Sequence, residues 1–224
     1  MGDDEHFVQF YEADDFLTHS VSGFIGSSLA RGDAGVVCAT PEHRTAIDSA
    51  LGDLGLDVAS LIAEGRYVSL DAAETLERLL VGGWPDEPRF REIVGAMLAK
   101  FEQAGHRVRI FGEMVVLLIE SGNRRAAIRL EELWNSMADE RRFSLFCAYP
   151  IGADLGAAGL GAVCRQHQSV IPGEGFSALD SPGDRVREVV QLQHRVLALE
   201  AEIVKRVEVE QAFLRRLRSA RSVS

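Results

Sequence analysis

The sequence predicts an α/β protein with a mainly parallel central sheet, followed by a long C-terminal helix. Short apolar runs alternate with stretches of helical periodicity as far as about residue 149. Beyond about residue 183 the pattern becomes a heptad-like repeat of apolar residues. Alternating strands and helices are typical of a parallel sheet covered on both faces, and a heptad repeat is typical of a helix that pairs with another helix.

The first 54 residues predict a β-α-β-α unit. Residues 7–11 form a first strand, and Asp14-Asp15 is a plausible N-cap for a helix that ends at 31–33. The apolar run 34–39 is typical of a buried parallel strand. Pro41 then opens a second helix that continues to about residue 54.

Three further strands are predicted, and each but the last is followed by helices. The strands are 66–70, 108–111 and 143–149, and the helices cover about 72–81, 87–104, 114–121 and 124–141, with a Gly-Gly-Trp-Pro break at 82–85. Ligands of such sheets usually bind beyond the carboxyl ends of the strands. Functional side chains are therefore expected there.

The C-terminal part predicts a linker and a dimerising helix. We assign 1–170 to the α/β domain, 171–183 to a Pro- and Gly-containing linker, 184–218 to the helix and 219–224 to a tail. The predicted dimer seam is Val189, Leu192, Val196, Leu199 and Ile203. After Ile203 the heptad spacing slips, which would allow two alternative packings.

Composition excludes several classes of protein. The chain has 46% hydrophobic and 26% charged residues and a net charge of −10, which disfavours a nucleic-acid surface spread over the whole molecule. The acidic N-terminus is unlike a targeting signal, and the longest apolar run, 114–119, is too short for a membrane span. We expect a cytoplasmic protein whose three cysteines are free thiols.

The sequence lacks the usual nucleotide-binding motifs. The turn after the first strand carries Glu12, Asp14 and Asp15 in place of a glycine-rich loop with lysine, so we expect no P-loop ATP hydrolysis and no enzyme activity. The glycines at 156–161 have the wrong spacing and context for a dinucleotide fingerprint, and no cofactor is expected. His6, Cys147 and His167 are possible metal ligands, but none of them lies at short ligand spacing from another, so no metal is expected either.

Polar residues near the predicted strand ends leave two interpretations open. They could form a ligand pocket, or they could be a structural network of arginine, carboxylates and aromatic caps. The residues concerned are His6, Tyr11, Arg109, Glu113, Glu132, Cys147 and Tyr149.

Six segments in this order resemble the MEDS domain, the methanogen/methylotroph DcmR sensory domain. They are HFVQFY at 6–11, ARGD at 30–33, RIFGEM at 109–114, LEELWN at 130–135, FCAY at 146–149 and the late His167. The resemblance implies a RecA/KaiC-like three-layer sandwich that has lost its phosphate-binding loop. It also implies a sensory or regulatory role, often proposed to involve small hydrocarbon-like molecules, with a signalling protein as partner. By this resemblance the candidate ligand-binding residues are His6, Tyr11, Arg109, Glu113, Glu132, Asn135, Cys147, Tyr149 and His167.

The expected function is a sensory module that binds a small ligand or partner protein and relays its state through a dimeric helix. One alternative is a transcriptional or anti-sigma-type regulator that acts through the C-terminal helix, where four arginines lie between 215 and 221. Another is phosphotransfer to His194, which lies in a segment similar to that of some histidine kinases. We expect no output domain after the helix, which leaves the downstream signal open.

Overall fold

A six-stranded parallel sheet forms the centre of the computed structural model, which describes residues 5–151, 161, 163–171, 199, 203 and 205–207. The strands are β1 His6–Tyr11, β2 Ala34–Ala39, β3 Tyr67–Asp71, β4 Leu80–Val81, β5 Trp84–Pro85, β6 Val108–Gly112, β7 Ser144–Pro150 and β8 Ser169–Ile171. The sheet order is β3-β2-β6-β7-β1-β8, and β4 and β5 form a separate antiparallel hairpin. The chain divides into two units, Met1–Glu174 and Gly175–Ser224, and the sheet belongs to the first.

Helices cover both faces of the sheet. They are α1 Asp14–Ala30, α2 Pro41–Asp53, α3 Val58–Ala63, α4 Ala72–Leu79, α5 Glu87–Gln103, α6 Met114–Glu120 and α7 Arg124–Ala138. One core, centred on the aromatic rings of Phe7, Phe111 and Phe146, packs under α1, α2 and α3. The other core lies under α4 to α7. In the described part of the chain, no helix is both long and apolar enough to cross a membrane.

Local sequence explains where most helices begin. Thr40, Asp71, Asp86 and Asn123 each accept a hydrogen bond from a backbone N–H in the first turn of the helix that follows. The expected Asp14-Asp15 cap of α1 is wrong, because the N-cap is Ala13 and both aspartates already lie in the first helical turn. Their carboxylates still favour this helix end through the helix dipole.

The predicted strands and helices agree with the structure to within a few residues. Three elements lack a prediction: the short α3, the β4–β5 hairpin, and β8, which pairs with Phe7, Val8 and Gln9. Strand β8 covers the outer edge of β1. It forms through backbone pairing with β1, although three residues are too few for the sequence pattern to predict a strand. The 156–160 glycines, most of the 171–183 linker and most of the 184–218 helix lie outside the described residues.

Candidate functional site

Six polar or titratable side chains meet under α7, on the side of the sheet that consists of strands β7, β1 and β8. We call this group the buried polar cluster, and its members are His6, Glu131, Asn135, Cys147, Tyr149 and His167. His6 points to the same face of β1 as Val8, which lies beside Cys147 of β7. Glu131 and Asn135 lie one turn apart on α7, and His167 lies two residues before the start of β8.

Glu131 is the centre of the buried polar cluster. Its Oε1 accepts a hydrogen bond from the Tyr149 hydroxyl at 2.5 Å and lies 3.6 Å from His167 Nε2. Its Oε2 lies 3.3 Å from His6 Nε2 and 3.9 Å from Cys147 Sγ. The Glu131 side chain is only 1% exposed, so the charge is stabilised by these neighbours and not by bulk water.

The hydrogen bonds of the two imidazoles fix which nitrogen carries a proton. Asn135 Nδ2 donates to both oxygens of Gln166, so Asn135 Oδ1 accepts from His6 Nδ1 at 2.8 Å. His167 Nδ1 donates to the carbonyl of Val163 at 2.7 Å. A neutral ring of either residue therefore has its lone pair on Nε2, which faces the centre of the cluster, whereas a protonated His6 ring donates from Nε2 to Glu131 as well.

Burial and charge set the protonation states. Burial by itself raises the pKa of Glu131, but the hydrogen bond from His6 and the fields of both histidines outweigh it and hold that pKa below its ordinary value. Burial lowers the pKa of His167. Burial and the Glu131 charge raise the pKa of Cys147 and of Tyr149 well above their ordinary values. The Cys147 thiol is therefore protonated and inert as a nucleophile.

A second polar group lies beyond the carboxyl ends of β1, β2 and β6. Glu113 accepts hydrogen bonds from Thr40 N at 2.9 Å and from His43 Nδ1 at 2.5 Å. His43 Nε2 lies 3.4 Å from Asp14, in the first turn of α1. The hydrogen bond with Glu113 raises the pKa of His43, while burial and then the Glu113 charge raise that of Tyr11. The carboxyl ends of these strands therefore carry acidic side chains, whereas a nucleotide-binding enzyme would have its phosphate-binding loop there.

A pocket of about 600 Å³ lies between the β3-β2-β6 part of the sheet and helices α4 and α5. Most of its wall is apolar, with Trp134 of α7 and Met114 of α6 at the inner end and exposed charged residues such as Arg78 and Lys100 among the lining. The volume falls within the range of about 300–1,000 Å³ that is usual for small-molecule sites.

The structure brings together five of the nine predicted site residues: His6, Asn135, Cys147, Tyr149 and His167. Tyr11 and Glu113 belong to the second group, at the carboxyl ends of the strands. The other two lie elsewhere. Arg109 faces α1, where it donates to the carbonyl of Phe24 at 2.9 Å and lies over that ring, and exposed Glu132 pairs with Arg129 at 3.2 Å.

The sequence did not single out Glu131 and His43. A signal for Glu131 exists, because it lies four residues after Ala127 and three before Trp134, on the buried stripe of α7. Leu199 and Ile203 of the predicted dimer seam are helical and exposed. Val189, Leu192, Val196 and His194 lie outside the described residues.

Comparisons with known proteins agree with this geometry. A KaiC-like protein from the hyperthermophilic archaeon Pyrococcus horikoshii superposes with a TM-score of 0.53 at 15% identity, over 77% of this chain and 73% of that one. An uncharacterized protein from Pyrococcus horikoshii, solved in complex with an unknown peptide, superposes with a TM-score of 0.58 at 12% identity, over 77% of this chain and 78% of that one. These likenesses establish a KaiC-like α/β fold.

No curated protein sequence matches the chain significantly. A family model does match it: the model of the methanogen/methylotroph DcmR sensory domain covers residues 5–168, which include five of the six strands of the parallel sheet, the pocket and all six members of the buried polar cluster. The chain therefore belongs to the MEDS family of sensory domains.

Proposed function

We propose that this domain senses a small apolar molecule that binds in the pocket between the sheet and helices α4 and α5. The pocket itself carries the proposal, because its volume of about 600 Å³ and its largely apolar wall suit a ligand of that kind. Burial of apolar surface would supply the binding free energy, at about 25 cal/mol per Å². Membership of a sensory family supports the same role.

The other polar sites suit such a ligand less well. Glu131 and Tyr149 of the buried polar cluster border a cavity of only about 20 Å³, which has room for about one water molecule. The group around Glu113 and Asp14 is acidic and hydrogen-bonded within itself. Because carboxylates there would repel phosphate, we propose recognition and not nucleotide hydrolysis as the activity of the domain.

A fluorescent apolar probe tests the pocket. We expect N-phenyl-1-naphthylamine to bind the unaltered protein and small hydrocarbon derivatives to displace it. Met97→Trp replaces a flexible side chain of the pocket lining with a bulky indole ring. This change should reduce probe binding at least about tenfold, the equivalent of roughly 1.4 kcal/mol. The matched control is Ile62→Trp, at an exposed position on α3 that packs on the other face of the sheet.

Probe binding by Met97→Trp as strong as that of the unaltered protein would contradict the pocket assignment. Loss of binding in both variants would point to a general effect of added tryptophan. Thermal unfolding of each variant without probe shows whether a loss of binding reflects a filled pocket or a damaged fold.

We propose that the bound state is relayed through pairing of the C-terminal helix. Leu199, Ile203 and Val207 are helical, four residues apart and exposed by 59%, 60% and 45%, so a stripe of apolar surface is left uncovered in a single chain. A second copy of the helix would cover that stripe. DNA or protein binding through the arginine-rich end, and phosphotransfer to His194, are the alternative outputs.

Sedimentation equilibrium tests the pairing. The full-length chain should sediment as a dimer at micromolar concentration, and a chain that ends at residue 183 should sediment as a monomer. A monomeric full-length chain would rule out the relay, and a dimer that survives the truncation would place the interface elsewhere. A gel shift at low and high salt separates the DNA-binding alternative, since contacts to phosphates weaken as salt rises.

A further inference from the structure

Four potential metal ligands converge inside the buried polar cluster. Ligand atoms of His6, Glu131, Cys147 and His167 all lie within 4.8 Å of one another, and all four residues are buried. From sequence spacing alone no metal is expected, because His6, Cys147 and His167 are far apart along the chain. Parallel pairing of β1 with β7 and the position of α7 above them bring the residues together.

Three of the ligand atoms form a triangle whose sides are close to the edges of a zinc-sized tetrahedron, and the fourth lies beside the other Glu131 oxygen. With metal–ligand bonds of about 2.0–2.3 Å, neighbouring tetrahedral ligands lie roughly 3.3–3.8 Å apart. Here His6 Nε2 lies 3.3 Å from Glu131 Oε2 and 3.4 Å from Cys147 Sγ. Cys147 Sγ lies 3.9 Å from Glu131 Oε2, and His167 Nε2 lies 3.6 Å from Glu131 Oε1. Small side-chain rotations would therefore complete the coordination sphere.

One buried atom lacks a partner that a metal would provide. His167 Nε2 makes no hydrogen bond, although the His167 side chain is 0% exposed and the ring points towards Glu131. His167 Nδ1 already donates to the Val163 carbonyl, so Nε2 offers a lone pair. A buried polar atom without a partner destabilises the fold, and coordination to a cation would remove that destabilisation.

The surroundings resemble the outer shell of a metal site. Metal-bound histidines usually donate their other ring N–H to a carbonyl or carboxylate oxygen, and the ligating carboxylates are themselves hydrogen-bonded. Here Asn135 accepts from His6, Val163 accepts from His167, and Tyr149 donates to Glu131. The cavity of about 20 Å³ beside Glu131 and Tyr149 provides a place through which an ion or water could enter.

We propose that His6, Glu131, Cys147 and His167 bind one Zn²⁺ ion in a closed tetrahedral site. Two imidazoles, one thiolate and one carboxylate are zinc ligands, and four protein ligands are typical of a structural site. Binding breaks the S–H bond of Cys147 and displaces any proton that His6 Nε2 donates to Glu131, and these protons pass to solvent. The thiolate and the Glu131 carboxylate then balance the charge of the ion, so the buried site carries no net charge.

The ion would join segments that are distant in sequence. It would tie α7 to β1 and β7, and it would fix His167, two residues before β8. Because the unfolded chain has no such site, the binding free energy would add to the stability of the folded domain. The zinc site is independent of the apolar pocket, and either can be present without the other.

Cobalt substitution of the full-length protein tests the proposal. Chelator-treated protein should bind one equivalent of Co²⁺, with the intense visible bands of four-coordinate cobalt and a near-ultraviolet thiolate-to-cobalt charge-transfer band. Zn²⁺ should bleach both features. Cys147→Ser should abolish the charge-transfer band, and the matched control Cys38→Ser, at another buried thiol on the same face of the sheet, should keep it. Asn135→Ala should weaken zinc binding about 10–100-fold.

Absence of stoichiometric Co²⁺ binding to the unaltered protein, or a charge-transfer band that survives Cys147→Ser, would overturn the proposal. X-ray absorption of the zinc form of the unaltered protein serves as a second measurement, in case Cys147→Ser fails to fold. The expected shell has one sulfur at about 2.3 Å and nitrogen or oxygen at about 2.0–2.2 Å. A shell without sulfur, or with several sulfurs, would contradict the assignment.

Discussion

Glu131→Ala is expected to lower the free energy of unfolding of the metal-free domain by about 3–5 kcal/mol, the range observed when one member of a buried ion pair is removed. The Glu131 side chain is 1% exposed. Its removal takes the hydrogen-bond acceptor from Tyr149 and the carboxylate that faces Nε2 of both His6 and His167. Urea unfolding of chelator-treated protein gives the difference directly.

The neighbouring residue provides the matched control. Glu132→Ala removes the same side chain one position later on α7, but Glu132 is 47% exposed and pairs with Arg129 at the surface. The Glu132→Ala substitution should lower the free energy of unfolding by less than about 1 kcal/mol, because exposed ion pairs contribute little to stability. Equal costs for the two substitutions would mean that the buried polar cluster does not stabilise the fold.

The contrast between Glu131 and Glu132 also shows how much of the site could be predicted from the sequence. Both glutamates lie within the segment that resembles the family, but the pattern of polar residues and the resemblance both point to Glu132 only. Successive helical residues point about 100° apart, so one position decides between the core and the solvent. The apolar spacing of α7 places Glu131 on the buried side, and periodicity was therefore a better guide than the motif at this position.

Arg109 illustrates a second reason for the limit. It lies on β6, whose neighbouring residues Val108 and Ile110 point to the opposite face, and its guanidinium packs on Phe24 of α1. A strand near a predicted site presents alternate residues to two different layers. The sequence predicts the strand, but the face that each residue occupies depends on which helices cover the sheet.

Other features depended on contacts between segments that are far apart in the chain. The principal strands are short apolar runs bounded by turn residues, and these could be predicted locally. Strand β8 has only three residues and forms because β1 offers an open edge. The convergence of His6, Cys147 and His167 likewise follows from strand order and register, which the spacing of residues along the chain does not contain.

Trp134→Ala should also cost about 3–5 kcal/mol of unfolding free energy, the usual range for removal of a large buried aromatic side chain. Trp134 is 4% exposed, and its ring lies 5.0 Å from that of Phe90 and 5.8 Å from that of Phe143. The matched control is the other tryptophan, Trp84, which is 43% exposed in the β4–β5 hairpin. Trp84→Ala should stay within about 0.5 kcal/mol of the unaltered protein in urea unfolding.

Trp134→Ala also tests whether the pocket can bind a ligand or is only a packing defect. Trp134 forms part of the pocket lining, so its removal should enlarge the volume that is open to a ligand. Benzene or a similar small ring would then fill that space and restore part of the lost stability, because a ligand that binds only the folded state raises its unfolding free energy. If the core collapses around the missing ring, benzene will have no effect on Trp134→Ala. In that case the wall of the pocket is deformable, and recognition of an apolar ligand would require the ligand to shape its own site.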